Sequence, residues 1–205
     1  SFEELAQAKR RPLFMLDDEA QRRAMALIDE LKIEGDTAGG VVEVRVKGLK
    51  SGFGSCMQYS TKLDSLLCAA LMSVQAIKGV EVGMGFGVAY NRGSAVHDAI
   101  YLNDGKIMRS TNNAGGIEGG MSNGEDIVLR AAMKPIPTLM RGLDTIDFDS
   151  KLPAKAAGER SDVAAICACE IIAECVVATA LTEVILSRLG GDNLSEVKER
   201  YARLP

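Results

Sequence analysis

A glycine-rich stretch in the middle of the chain has the composition of a ligand-binding loop. Residues 110–124 contain two Gly-Gly pairs with small polar side chains around them. Glycine has no Cβ, so its backbone can approach a ligand closely. A strand-like run over residues 127–133 follows, and Lys134 comes directly after it, which places a cation at the end of a strand. This order of loop, strand and lysine predicts a site for a phosphate group or a flat cofactor.

A mobile linker of the Gly/Ser type is the alternative interpretation of this stretch. Two apolar side chains, Ile117 and Met121, stand within it, and the stretch continues directly into the predicted strand. These features favour a folded loop over a linker.

A second polar group, Arg160-Ser161-Asp162, precedes a long apolar run over residues 163–186. Asp162 suits the N-cap position of a helix, and capping alone would account for it. A carboxylate beside an arginine at a helix start would also make one polar wall of a binding site. Three glutamates interrupt the apolar run, and each would be costly in lipid. The run is therefore predicted to be a buried or interface helix, with no membrane span.

Gly83, Gly85 and Gly87 superficially resemble a dinucleotide-binding fingerprint. That fingerprint requires a helix directly after the glycines. Apolar residues at every second position from Val82 to Tyr90 predict a continuing strand instead, with something bulky packed on its glycine face. A Rossmann-type reductase is excluded on this ground.

Composition excludes further classes of function. The net charge is −4 and no basic stripe is present, so binding to duplex nucleic acid is not expected. The five cysteines include no C-x-x-C pair and there is one histidine, so we expect free thiols in a reducing cytoplasm and no metal site. The charged N-terminus lacks the apolar segment of a signal peptide.

Helical periodicity and caps predict the main elements. One helix runs from Asp17 or Asp18 to Gly35, and a last helix runs over residues 194–202, capped by Asn193 or Ser195. The strands predicted between them include residues 42–46 and 80–82. A helix, a glycine and a Val-Glu-Val strand occur twice, which indicates either a weak internal duplication or, slightly preferred, two unrelated units of the same type.

Several motifs together resemble chorismate synthase over nearly the whole chain, from about Asp17 onward. They are the runs at residues 113–117, 119–120 and 122–124, Lys134-Pro135, the run at residues 75–83 with Gln75 in place of the family's usual Asn, Arg92-Gly93-Ser94, the run at residues 97–100 with His97 where the family often has Arg, Arg160-x-Asp162 and Glu174. His97 lies in none of the family's catalytic histidine motifs and is interpreted as a surface loop residue.

The resemblance implies an α+β fold of layered helices and mainly antiparallel sheets. Residues 17–205 would form the C-terminal part of a single domain, preceded by a poorly ordered tail over residues 1–16. It also implies a cytoplasmic homotetramer of the shikimate pathway of aromatic amino acid biosynthesis. The enzyme would be a carbon–oxygen lyase that eliminates phosphate from 5-enolpyruvylshikimate 3-phosphate to give chorismate, with reduced FMN as its cofactor.

The resemblance assigns roles residue by residue. Asp162 would assist proton transfer as a general base, and Arg160 would contact both the cofactor and the substrate. The other residues expected to line the FMN site are Gln75, Ala76, Gly119, Lys134, Pro135, Ile136, Pro137 and Thr138.

The family is about twice as long as this chain, and its N-terminal half carries the catalytic histidines and most of the phosphate-binding arginines. The chain alone is therefore expected to be inactive. A non-catalytic flavin-binding or oligomerisation module is the alternative. The enzyme is favoured by the presence of Lys134, Arg160 and Asp162, because a module that has lost its catalytic activity does not need these charged residues.

Overall fold

The structure, a computed structural model, describes residues 1–204 and divides into two compact units. Unit 1 consists of Ser1–Val41 and Met133–Cys169, and unit 2 consists of Val42–Ala132 and the segment from Glu170 on. The helices are α1 (Phe2–Ala8), α2 (Asp18–Glu34), α3 (Leu63–Met72), α4 (Gly93–Val96), α5 (Ile166–Leu189) and α6 (Leu194–Ala202). The strands are β1 (Gly40–Val46), β2 (Ile77–Val82), β3 (Ile100–Asn103), β4 (Lys106–Arg109), β5 (Ile117–Glu118), β6 (Met121–Ser122), β7 (Ile127–Met133), β8 (Asp144–Ile146) and β9 (Pro153–Lys155). This mixture of helices and sheets is an α+β fold.

The predicted first long helix is confirmed as α2 in unit 1. The Asp17 carboxylate accepts a hydrogen bond of 2.6 Å from the Ala20 amide, which satisfies one of the free donors at the helix start. Gly35 ends α2 at φ 71°, where its amide bonds to the Leu31 carbonyl. Before it, Ser1 and Glu4 form a capping box at the start of α1.

Unit 2 is built around a three-stranded sheet of order β1-β7-β2, with α3 packed against β2. The sheet's core side is the alternating set Ile127, Leu129 and Ala131 of β7, each at most 1% exposed. Leu63, Leu67 and Leu71 of α3 are completely buried, at the four-residue spacing of one helix face. The side chains buried at this contact between helix and sheet are therefore aliphatic.

The predicted strand over residues 82–90 is wrong beyond Val82. Gly83 and Gly85 adopt positive φ values of 58° and 59°, which ends the extended backbone, and Gly85–Tyr90 forms a 3-10 helix. The expected close packing beside these glycines is present, with the Glu81 side chain against Gly85 and backbone against Gly83. A Cβ on Gly83 would lie 2.1 Å from the Asn113 carbonyl oxygen, so another stretch of backbone packs there.

The long apolar run forms α5, but it begins at Ile166 and not beside Asp162. Its first turn is closed by a 3.0 Å bond from the Cys169 amide to the Ala165 carbonyl. Asp162 therefore does not cap this helix, and the capping interpretation is wrong. Within residues 1–204, no helix is long and apolar enough to cross a membrane.

Candidate active site

The glycine-rich stretch of unit 2 contains a β-hairpin with a two-residue turn. Strands β5 and β6 pair antiparallel, with Ile117 opposite Ser122. Gly119 and Gly120 form the turn at φ 60° and 83°. Positive φ at both central residues is what a tight hairpin turn requires, and glycine adopts it without strain. The linker interpretation is therefore wrong.

Ser122 fixes the far side of this hairpin. Its side chain is 2% exposed, donates a 2.6 Å hydrogen bond to the Lys50 carbonyl and accepts one of 2.9 Å from the Phe53 amide. The Phe53 side chain is completely buried, with its ring 5.8 Å from that of Tyr201. The hairpin is thus attached to the core of unit 2.

Asp98 fixes the start of the glycine-rich stretch, and the sequence analysis gave it no role. Its carboxylate accepts hydrogen bonds from the Thr111 hydroxyl at 2.5 Å, the Asn113 amide at 2.7 Å and the Ala114 amide at 2.9 Å. Burial raises the pKa of Asp98, but these hydrogen bonds and the positive charge of Arg109 lower it more, so the net pKa lies below its usual 3.8.

We expect acid to loosen the stretch through Asp98. Because its pKa is lowered in the fold, the stabilisation is complete above the usual pKa of 3.8 and is lost as the pH falls through the lowered value. Hydrogen exchange should show about fivefold weaker protection of the Asn113 and Ala114 amides in Asp98→Asn at neutral pH, a modest effect because solvent screens this carboxylate. Equal protection at neutral pH in the variant and the unsubstituted chain would contradict this role.

In unit 2, the predicted cofactor residues Gln75 and Gly119 are exposed and Ala76 is half-buried. Gln75 and Ala76 directly precede β2, and Ala76 has φ 68°, a left-handed conformation that is strained for a residue other than glycine. A Cβ on Gly119 would meet no atom within 4 Å, so open space lies beside the hairpin tip. A flat group could lie against this tip without meeting a side chain from it.

In unit 1, the Arg160-Ser161-Asp162 triplet lines a cavity of about 440 Å³. Lys32 of α2 lines the same cavity, and sequence analysis missed it because a lysine on a helix surface is ordinary. Within residues 1–204, the side chains of Lys32, Arg160 and Asp162 form no hydrogen bond or ion pair inside the protein. Two cations and one carboxylate are therefore available to a ligand in one cavity.

The predicted stretch from Lys134 to Thr138 lies in unit 1 and begins directly after β7, as expected. Ser161 joins it to the triplet, since its hydroxyl donates a 2.7 Å hydrogen bond to the Thr138 carbonyl. Pro137 and Thr138 line a neighbouring cavity of about 280 Å³. The structure thus brings the Lys134–Thr138 stretch and the triplet together, while Gln75, Ala76 and Gly119 belong to the other unit.

Comparison with known proteins connects this arrangement to one family. The family model described as chorismate synthase matches residues 2–186. The chain is 52% identical to chorismate synthase of Geobacter sulfurreducens, over 92% of this chain and 50% of that protein. It is 48% identical to the Moorella thermoacetica protein of the same name, over 98% of this chain and 53% of that one.

A solved structure titled "Crystal Structure of Chorismate Synthase" matches with a TM-score of 0.81 and 36% identity, covering 98% of this chain and 53% of that chain. The likeness confirms the predicted α+β fold. The chain spans about half the length of the curated relatives it matches. On the agreement of family model, relatives and fold, this chain belongs to the chorismate synthase family.

Proposed function

We propose that this chain provides part of the active site of a lyase that converts 5-enolpyruvylshikimate 3-phosphate into chorismate with reduced FMN. The observation that carries the proposal is the unit 1 cavity, where the charged groups of Arg160, Asp162 and Lys32 have no partner within residues 1–204. A cation beside a carboxylate suits a reaction in which a phosphate leaves and a ring proton is removed. The cytoplasmic homotetramer implied by the resemblance is part of the same proposal.

The residues present fit a flavin. A cavity of about 440 Å³ lies within the range of small-molecule sites. Lys134–Thr138 and Arg160 of unit 1 would hold the flavin. When bound, reduced FMN would supply electron density that favours departure of the allylic phosphate.

The chain's own residues would bind the anionic groups of the ligands and accept the ring proton. The Arg160 guanidinium can bind phosphate oxygens with two parallel hydrogen bonds, which fixes the orientation of the group as well as its charge. The Asp162 carboxylate oxygens would accept the proton released from the substrate ring, as a general base. Lys32 and Lys134 would add positive charge for the anionic groups of substrate and cofactor.

Complementation tests the proposal. The complementary half is the part of the Geobacter sulfurreducens enzyme that this chain does not match, and the two combined are the reconstituted protein. We expect the reconstituted protein to bind reduced FMN and form chorismate, and the chain alone to form none. Anaerobic flavin titration and a chorismate assay measure both outcomes. Chorismate formation by the chain alone, or a folded reconstituted protein that neither binds flavin nor forms product, would contradict the proposal.

A further inference from the structure

Four residues between α2 and β1, Asp36 to Gly39, lie between the two site segments of unit 1. We name them the strap. In the structure, each strap residue contacts the Lys134–Thr138 stretch, the Arg160–Asp162 region or Arg141.

The strap contacts the Lys134–Thr138 stretch through Thr37 and Gly39. The Thr37 hydroxyl donates a 2.7 Å hydrogen bond to the Ile136 carbonyl, and Thr37 is only 9% exposed. A Cβ on Gly39 would lie 2.2 Å from the Met133 carbonyl oxygen and 3.0 Å from the Pro135 nitrogen. The two backbones are therefore in direct contact, at a distance that only glycine permits.

The strap contacts the triplet region through Ala38. The Ala38 amide donates a 2.8 Å hydrogen bond to the Val163 carbonyl, and Ala38 forms a parallel bridge with Ala164. On the other side of Thr37, the Asp36 carboxylate accepts a 2.8 Å bond from the Thr37 amide and forms an ion pair with Arg141. Asp36 and Thr37 also line the 440 Å³ cavity with Arg160 and Asp162.

The Lys134–Thr138 stretch depends on such contacts because of its prolines. Pro135 and Pro137 have no amide hydrogen, so this backbone cannot continue the hydrogen-bonding ladder of β7. Each proline also restricts the residue before it to extended conformations, so the stretch is stiff. Fixing one carbonyl of a stiff segment fixes its neighbours, and Ile136 lies between the two prolines.

We propose that Thr37 is a positioning residue for the flavin site, and that its hydroxyl holds the Lys134–Thr138 stretch in place against the Arg160–Asp162 region. The identity of the ligand rests on the proposed function, whereas the positioning of the Lys134–Thr138 stretch by Thr37 is independent of it. Without the hydroxyl, the half-buried Ile136 carbonyl loses its donor and the stretch moves relative to the cavity.

Three variants test the positioning. Thr37→Val removes the hydroxyl at constant shape, and Thr37→Ser restores it. Tyr201→Phe is the matched control, because the Tyr201 hydroxyl also donates to a backbone carbonyl, that of Gly48, but in unit 2. The Glu159 amide donates a 3.0 Å hydrogen bond to the Leu139 carbonyl, directly after the Lys134–Thr138 stretch. Amide hydrogen exchange on the 205-residue chain should be about tenfold faster at Glu159 in Thr37→Val and unchanged there in Thr37→Ser and Tyr201→Phe; tenfold corresponds to about 1.4 kcal/mol.

Flavin titration of the reconstituted protein provides the second readout. We expect the Kd for reduced FMN to rise about tenfold in Thr37→Val, to return within about threefold in Thr37→Ser and to stay unchanged in Tyr201→Phe. All titrations are made below the unfolding temperature of each variant, so that unfolding does not affect the measured Kd. Tyr201→Phe also loses a hydrogen bond, and it therefore controls for a general loss of stability.

The outcomes separate the two proposals. Unchanged exchange at the Glu159 amide in Thr37→Val would overturn the positioning role, as would weaker flavin binding in Tyr201→Phe to the same extent. If Thr37→Val does not fold, Thr37→Ala removes the same hydroxyl. Faster exchange at Glu159 in Thr37→Ala, restored in Thr37→Ser, would support the role, and unchanged exchange there would overturn it. Absence of flavin binding in the unsubstituted reconstituted protein would count against the proposed function, while hydrogen exchange still decides the positioning.

Discussion

Replacing Asp162 by asparagine should lower the rate of chorismate formation by the reconstituted protein about 10²- to 10⁴-fold, the usual contribution of a general base. The amide keeps the size and shape of the side chain but cannot accept a proton at the pH of the reaction. Asp162 does not cap α5, and its side chain makes no bond inside residues 1–204, so the fold should not depend on it. The thermal midpoint of the variant should therefore match that of the unsubstituted protein.

Asp29 provides the control for this experiment. It is an exposed carboxylate on α2 in the same unit, and Asp29→Asn makes the same change in net charge. The rate should be unchanged in Asp29→Asn and strongly reduced in Asp162→Asn, measured as kcat at saturating substrate. A kcat for Asp162→Asn within a few-fold of the unsubstituted value would exclude the general-base role.

Replacing Gly115 by alanine should destabilise unit 2 by about 3–5 kcal/mol, the sum of backbone strain and overpacking. Gly115 has φ 63°, and its added Cβ would lie 2.3 Å from the Gly83 amide nitrogen. Gly83 is constrained in the same way from the other side. The atoms in the way are backbone atoms, which cannot rotate aside as a side chain would. Urea denaturation followed by circular dichroism measures the loss.

Gly105→Ala is the control that distinguishes backbone strain from steric overlap. It also has a positive φ, 75°, but a Cβ there would meet no atom within 4 Å. Gly105→Ala should therefore cost only about 1–2 kcal/mol, the conformational strain alone. If both variants lose the same stability, the close approach of the two backbones at Gly83 and Gly115 is not what requires glycine.

Features determined by neighbouring residues were predictable from the sequence. The strand Ile127–Met133 with Lys134 directly after it, and the helix Leu194–Ala202 with Asn193 as its cap, have the predicted bounds. The α2 helix has the predicted caps at Asp17 and Gly35. In each case, periodicity and cap chemistry within a few residues decide the structure.

Features that depend on distant partners were not predictable in this way. Alternation over residues 82–90 indicated a strand, but contact with the backbone near Asn113 requires Gly83 to leave the extended region. Lys32 gave no local signal, because its importance comes from what lies opposite it in space. Asp98 stands in a run that resembles the family, but its hydrogen bonds to the glycine-rich stretch could be found only from the structure. The contacts of the strap were found in the same way.

The hydrogen bond from Thr37 to Ile136 joins residues that are 99 positions apart in the chain. Closing a loop of that length carries an entropic cost that increases with the number of residues enclosed, and contacts of high sequence separation slow folding. During synthesis on the ribosome, the strap emerges long before the proline-rich stretch that it holds. We therefore expect α2 to form early and the cavity wall to be among the last parts of unit 1 to assemble.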